Sequence, residues 1–394
     1  METATDLLET PPANTGPSGR GPRVALFTDS DVFAGTERHI FDLARGLRDC
    51  GVQVRVACPA PSPLAERSEA AGVPVIAIQK GGMIDFRAVG KLRALLASGE
   101  LDLVHAHNGR TALSSALATA LAGAGSCILT QHFLEPGRLT RGGVQRVLST
   151  AAHGWTGSRM SRFIAISQAV RDAMIARKDA PPDKITVVPN GIATPERASL
   201  VQVRAELGVD SNAPLVVCVA RLEPEKDVPT LIAAMSRVAA ANPAARCVVV
   251  GEGSQHPALA RQILEAGLTG VVTLAGFRQD SLSFINAADV FVLPSLAEPF
   301  GLVLLEAMAL GKPVISTAVG GPLEIVVHEK TGLLVPASAP DALAAAILRL
   351  LGAPSEGAAM GREGLRRFEE CFTCARMARA ILSVYQQALA AAHL

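Results

Sequence analysis

Short runs of β-branched and aliphatic residues alternate along the chain with longer segments whose apolar positions recur every three or four residues. In the first half the strand-like runs are Arg23–Thr28, Val52–Ala57, Val73–Ile78, Leu103–Ala106, Ser126–Gln131, Phe163–Ser167 and Ile185–Val188. Helical patterns fall between them at Glu37–Arg48, Leu64–Ala71, Phe86–Ala97 and Thr111–Ala122. The strand runs are apolar throughout rather than alternating, which predicts a parallel sheet covered by helices on both faces. A breaker-rich stretch, Pro189-Asn190-Gly191 through Pro195, interrupts the pattern. It then restarts with strands at Pro214–Ala220, Arg246–Gly251, Val271–Ala275, Val290–Pro294 and Val314–Thr317. The accompanying helices are Val228–Ala240, Ala258–Ala266, Asp280–Ala287, Val303–Leu310, Asp341–Leu351 and Cys374–Ala391.

The expected architecture is two doubly wound, Rossmann-like α/β domains with a hinge near residues 190–200. A floppy tail covers 1–22, one domain 23–193 and the other 194–373; a last helix over 374–394 crosses back to the first domain. In such sheets ligands sit outside the carboxyl ends of the strands, so two domains place their loops on opposite walls of one cleft.

Composition narrows the class. The chain has 394 residues, of which 49% are hydrophobic and only 19% charged, which supplies two cores and excludes global disorder. A net charge of +1 gives no basic domain of the kind that binds nucleic acid. Seven cysteines are scattered, mostly inside apolar runs, and Cys371-x-x-Cys374 lacks partner ligands, so a reduced, cytoplasmic protein is expected. The first residues hold acids where a signal peptide needs a basic start, and no apolar run reaches membrane-spanning length.

The loops carry the chemistry. After the first strand comes Asp29-Ser30-Asp31-Val32-Phe33-Ala34-Gly35, which is not the G-x-G-x-x-G dinucleotide fingerprint, so a nicotinamide or flavin enzyme is disfavoured. Near the end of the second half, a strand closing at Pro294 runs into a loop bearing Glu298, and a helix begins near Gly301. Glu306 lies about two turns into that helix among Leu302, Val303, Leu305, Ala309 and Leu310. A helix entrance presents unpaired amides and the positive end of a dipole, which suits phosphate, and a carboxylate among apolar neighbours needs donors such as a ribose diol. Arg221 and Lys226 flank a loop between a strand and a helix and, with Glu223, Glu225 and Asp227 around them, are either ordinary surface cations or a pair able to stabilise a developing anionic charge. His105 and His107 flank a strand end with metal-like spacing, but the sequence offers no third ligand beside them.

The Glu298-x7-Glu306 segment resembles the Glu-x7-Glu motif of retaining glycosyltransferases of family 4, and the likeness runs from Arg23 almost to the end. The resemblance implies a GT-B fold, with an acceptor-side first domain and a nucleotide-sugar-binding second domain. It implies that Glu298 meets donor-sugar hydroxyls, that Glu306 holds the ribose, and that the backbone at Phe300, Gly301 and Leu302 meets sugar or diphosphate. Arg221 to Lys226 matches the family's Arg-x4-Lys loop; Ala34-Gly35 matches its Gly-Gly loop with the first glycine replaced, leaving Gly35 to approach the diphosphate. His132, at a strand end, positions the sugar or supports developing charge, or is a structural imidazole. Gly276-Phe277-Arg278 falls beside the nucleobase, with Val188–Ile192, Gly251–Gly253 and Gly320–Glu324 as further family loops.

The expected activity is transfer, with retention and without a metal or other cofactor, of a hexose-type sugar from a UDP- or GDP-sugar to a hydroxyl acceptor, in glycan, polysaccharide or glycolipid synthesis. A sugar-nucleotide epimerase and a catalytically silent nucleotide-sugar binder are the alternatives on this architecture. The acceptor is a glycan or a lipid-linked molecule. Arg138, Arg141, Arg146, Arg159 and Arg162 share a segment whose only acid is Glu135; this is either a solvated basic face or a surface that rests on anionic lipid at the inner membrane face.

Overall fold

Thirteen parallel strands divide into two sheets in the computed structural model, which describes residues 21–79, 84–135, 144–195, 200–210 and 212–392. The first sheet contains β1 (Arg23–Phe27), β2 (Gln53–Pro59), β3 (Val75–Ile78), β4 (Leu103–Ala106), β5 (Ser126–Gln131), β6 (Arg162–Ala165) and β7 (Ile185–Val187). Its helices are α1 (Gly35–Asp49), α2 (Pro63–Ala70), α3 (Phe86–Ala97), α4 (Gly109–Ala122), α5 (Val144–Arg159) and α6 (Gln168–Ala176). The second lobe opens with α7 (Leu200–Glu206), and its strands are β8 (Leu215–Val219), β9 (Arg246–Val250), β10 (Val272–Leu274), β11 (Val290–Leu293), β12 (Val314–Thr317) and β13 (Gly332–Val335). Between and after them run α8 (Val228–Ala241), α9 (His256–Glu265), α10 (Ser281–Ala287), α11 (Leu302–Ala309), α12 (Pro322–Ile325), α13 (Pro340–Gly352) and α14 (Pro354–Cys371). The last helix, α15 (Cys374–Ala392), packs on α1 and β5 of the first lobe.

The strand order is β3-β2-β1-β4-β5-β6-β7 in one sheet and β10-β9-β8-β11-β12-β13 in the other. Each order reverses direction once, between β1 and β4 and between β8 and β11. At those switch points neighbouring loops diverge to opposite faces and leave a crevice at the strands' carboxyl ends. The central strands are apolar because both faces are covered: Val24 to Phe27 and Val290 to Leu293 are all at most 1% exposed. Polar side chains start the helices. Asp85 accepts from the amides of Arg87 and Ala88, Asn108 from Arg110 and Thr111, and Ser167 from Val170.

Two connections join the lobes, and they pair with each other. The Ile192 amide donates to Phe372 O at 3.0 Å and the Cys374 amide to Ile192 O at 2.9 Å. Beyond this crossing α15 buries Met377, Ile381, Val384 and Tyr385 against Val24, Leu43, Leu47 and Ile128. Each large side chain so buried is worth about 1.5–3 kcal/mol, so α15 is an integral part of the first lobe's core.

Periodicity alone does not show α5, α6, α7, α12, β13 or α14. The reason is visible in α14, whose glycines 357, 361 and 364 weaken its helical pattern. A side chain at Gly361 would overlap the carbonyl of Gly311, so close packing on the α11 end requires glycine there and overrides propensity. All seven cysteines are free thiols, and Cys374 Sγ donates to Asp42 O at 2.8 Å. Among the described residues no helix is long and apolar enough to cross a membrane. Of the basic segment, Arg138, Arg141 and the side chain of Arg146 lie outside the described residues; Arg159 stacks on Trp155, and Arg162 donates to Asp183 O at 2.9 Å.

Candidate functional site

The second lobe's switch point brings the loop after β8 against the loop after β11. The Leu296 amide donates to Glu225 O at 2.8 Å, tying the two loops together by backbone. Across this tie Lys226 Nζ donates to Glu298 Oε2 at 2.6 Å, and Ser295 Oγ donates to the same oxygen at 3.3 Å. Lys226 ends a 3₁₀ turn, Pro224–Lys226, and Ser295 is held from β12 by Thr317 Oγ1 donating to its carbonyl at 2.6 Å. The pair is largely out of water, with side chains 14% and 9% exposed. The chain then passes through Phe300 to Gly301, whose φ of 108° and ψ of 57° belong to glycine, and α11 starts at Leu302. The Gly321 amide donates to Glu298 O at 2.9 Å, so the Gly320–Glu324 loop fixes the other side of the acidic loop.

Glu306 sits in α11 with its side chain 12% exposed. Arg38 of the first lobe approaches it at 3.9 Å while donating to Asp42 at 2.9 Å, so a guanidinium from one wall stands between carboxylates of both. Burial pushes the Glu306 carboxyl up to about 7; Arg38 opposes the rise and Asp42 adds to it. Gly35 opens α1 within van der Waals reach of Leu302 across the cleft, where a Cβ would lie 3.7 Å from Leu302 Cδ1. Lys226, Glu298 and Gly301 therefore cluster at the entrance of α11, with Glu306 further along that helix and Gly35 opposite Leu302, while the Phe300 side chain is buried in the core against Phe372.

Two predicted residues stand differently. Arg221 is 65% exposed, and its guanidinium pairs with Glu225 at 2.6 Å instead of a cleft acid. The guanidinium of Arg278, the residue placed beside the nucleobase, is bound by Glu206 and Asp280 and lies over the Phe284 ring. It braces α7 against α10. Its neighbour Phe277 is 64% exposed on the same loop.

His132 follows β5 and is 7% exposed. Its Nε2 is 3.1 Å from His107 Nδ1, which follows β4, and its ring meets His39 of α1 edge-on at 4.8 Å. His105 is bound on both nitrogens, by Tyr385 Oη at 2.8 Å and Thr130 Oγ1 at 2.6 Å. Burial holds His105, His107 and His132 well below the ordinary imidazole range and His39 down to about 4, so the cluster is neutral near pH 7. The sequence offered no third ligand beside His105 and His107; the fold instead groups His107 with His132 and with His39 of α1, and leaves His105 out. The one signal of His39 was its place on the buried face of α1, a turn beyond Gly35.

The lobes also touch beside the site. Ser167 Oγ donates to Pro299 O at 2.8 Å, and Glu324 accepts from the amides of Gln168 and Ala169, capping α6 from the opposite lobe.

Residues 33–195 match the profile of glycosyltransferase family 4, and residues 202–367 that of the glycosyl transferases group 1. The α-maltose-1-phosphate synthase of Mycolicibacterium smegmatis is 32% identical over 402 residues, covering 93% of this chain and 99% of that protein. The D-inositol 3-phosphate glycosyltransferase of Kineococcus radiotolerans is 36% identical over 253 residues, covering 58% and 57% respectively. Among solved structures, Anabaena HepE in complex with UDP and glucose superposes with a TM-score of 0.79 at 24% identity, over 92% of this chain and 98% of that one. Sucrose-phosphate synthase from Thermosynechococcus elongatus gives 0.75 at 24% identity, over 94% and 100%. Two Rossmann-like lobes of this topology are the GT-B fold, and the chain belongs to glycosyltransferase family 4.

Proposed function

We propose that this glycosyltransferase transfers a hexose-type sugar with retention from a nucleoside-diphosphate sugar to a hydroxyl acceptor. The observation that carries the reading is the Lys226–Glu298 pair at the entrance of α11, with Glu306 two turns further along the same helix. Amides at a helix entrance and a buried ammonium suit a diphosphate, and the flanking carboxylates are spaced to accept from sugar and ribose hydroxyls. Glu298 orients the sugar, Glu306 grips the ribose diol, and Lys226 holds the leaving phosphate. Arg221 exchanges Glu225 for phosphate oxygens when donor arrives, a move open to a side chain 65% exposed.

The acceptor oxygen attacks the anomeric carbon from the face that the diphosphate leaves. The C1–O bond to phosphate breaks, the new C1–O bond forms on the same side, and the acceptor proton passes to the departing phosphate oxygen. Lys226, Arg221 and the α11 entrance stabilise that oxygen's charge, so the step is assigned no metal. Neutral His132 supplies a hydrogen bond to the sugar. The names of the relatives, maltose-1-phosphate and inositol 3-phosphate enzymes, favour a small phosphorylated polyol acceptor over a lipid-linked one.

The test incubates the protein with UDP- and GDP-sugars and with hexose 1-phosphates, inositol phosphates and undecorated sugars. Release of nucleoside diphosphate with a product whose new linkage keeps the donor's anomeric configuration supports the reading. Epimerised donor, inverted linkage, or thermal stabilisation without transfer overturns it.

A further inference from the structure

We propose that His39, His107 and His132 form a binding site for a borderline divalent metal ion, zinc or its neighbours cobalt and nickel, whose capture inhibits sugar transfer. The three residues come from α1 and from the ends of β4 and β5, and one ring nitrogen from each lies within 4.8 Å of the other two. The ring centroids are 4.8 to 5.4 Å apart, and all three side chains are buried.

Hydrogen bonding leaves this cluster incomplete. Nε2 of His107 is enclosed without a hydrogen-bond partner, and neither ring nitrogen of His39 makes a well-formed hydrogen bond, although the Asn190 side chain lies beside that ring. A buried polar atom without a partner is destabilising, and most such atoms in folded proteins are satisfied. His105 marks the contrast, because Tyr385 and Thr130 occupy both of its nitrogens and exclude it as a ligand.

The donor set selects the ion. Three imidazoles without a carboxylate or thiolate suit zinc, cobalt, nickel and copper; magnesium and calcium require oxygen ligands. Burial keeps the rings unprotonated, so binding displaces few protons near pH 7. Three protein ligands leave a fourth position of a tetrahedron for water. Metal–nitrogen bonds of about 2.0–2.1 Å require the widest edge of the triangle to contract by roughly an ångström. The His107–His132 edge, at 3.1 Å, is already close enough.

Inhibition follows from His132, and that half of the inference rests on the proposed function. An imidazole held by the ion no longer offers the hydrogen bond assigned to the donor sugar. The ion is therefore an inhibitor, and transfer runs in its absence.

The experiment uses the full chain, stripped with chelator and titrated with cobalt(II), then zinc(II) in competition. One cobalt per chain with the intense visible absorption of a tetrahedral nitrogen site, displaced by zinc and not by excess magnesium, is expected. His39→Gln and His107→Gln should each weaken binding beyond the ~10–100-fold lost when only an outer partner of a ligand is removed. His256→Gln, an exposed histidine of the second lobe, should leave it unchanged. Circular dichroism and melting of each variant without metal establish that it is folded, and either of the two cluster variants suffices. An octahedral spectrum, or cobalt held as tightly by folded His39→Gln and His107→Gln, overturns the site. Zinc should inhibit transfer along the same saturation curve as binding. Full binding with undiminished transfer overturns the inhibitory role and the placement of His132, and leaves the metal site standing. A metal-free protein with no transferase activity on any donor overturns the proposed function, and the cobalt spectrum separates that failure from failure of the site.

Discussion

Replacing Lys226 by methionine isolates the pair at the α11 entrance. Methionine keeps the length and apolar stem but removes the only cation within hydrogen-bonding distance of Glu298 among the described residues. Breaking a buried pair by deleting one partner typically costs 3–5 kcal/mol, because the remaining charge stays desolvated. Both side chains retain about a tenth of their exposure, and Ser295 still donates to Glu298, so the low end applies, about 3 kcal/mol. For a lobe of this size, each kcal/mol moves the melting temperature by about 2–4 °C, giving a fall of roughly 6–12 °C at pH 7.5. Glu298→Gln removes the stranded charge, so the double variant should recover most of the loss. A double-mutant cycle should give a coupling of about 2–3 kcal/mol. Donor turnover in Lys226→Met should drop by about 10²–10³-fold, the range for one lost charge-stabilising donor. Melting within a degree of wild type, or a coupling below about 0.5 kcal/mol, would show that the pair is a solvated contact and refute the reasoning.

Glu306 gives a pH signature. Its folded carboxyl titrates near 7 against an ordinary 4.5, so the folded state binds the proton more tightly, and stability falls as pH rises from about 4.5 to 7. Glu306→Gln should remove that decline and melt higher than wild type above pH 7, by the equivalent of about 3 kcal/mol at most; equal pH profiles in thermal denaturation would count against it. Donor affinity should tighten in wild type as pH climbs past 7, because the ribose hydroxyls need a carboxylate acceptor, and calorimetric titration at several pH values checks this. Arg38 holds that carboxyl down, so Arg38→Ala should move the midpoint of the same titration to higher pH. Tyr385→Phe deletes the hydroxyl bonded to His105 and should cost about 1–2 kcal/mol in a denaturant titration.

The two sheets were legible because their strands are buried on both faces and so carry unbroken apolar runs. The Glu298–Glu306 helix entrance and the Arg221–Lys226 loop were legible because breakers and charges mark the ends of such runs. What escaped was set by contact across the fold. The β13 strand begins at a glycine, and α14 carries three more, so local propensity pointed away from both. His39 and Arg38 look like ordinary helix positions until α1 is laid against β4, β5 and α11. The partners of Arg278 escaped for the same reason, since Glu206 lies 72 residues away on α7.

The paired crossing at Ile192 and Thr373 makes the second lobe, in topological terms, an insertion between two pieces of the first. Strand β1 precedes the second lobe in the chain, but α15, which seals its flank with Tyr385 and Ile381, follows it. During synthesis the first lobe must wait, with that apolar flank uncovered, while the inserted lobe emerges and folds. Closing this contact spans more than three hundred residues of chain, a separation of the kind that slows folding, and it ties the core of the amino-terminal lobe to an intact α15.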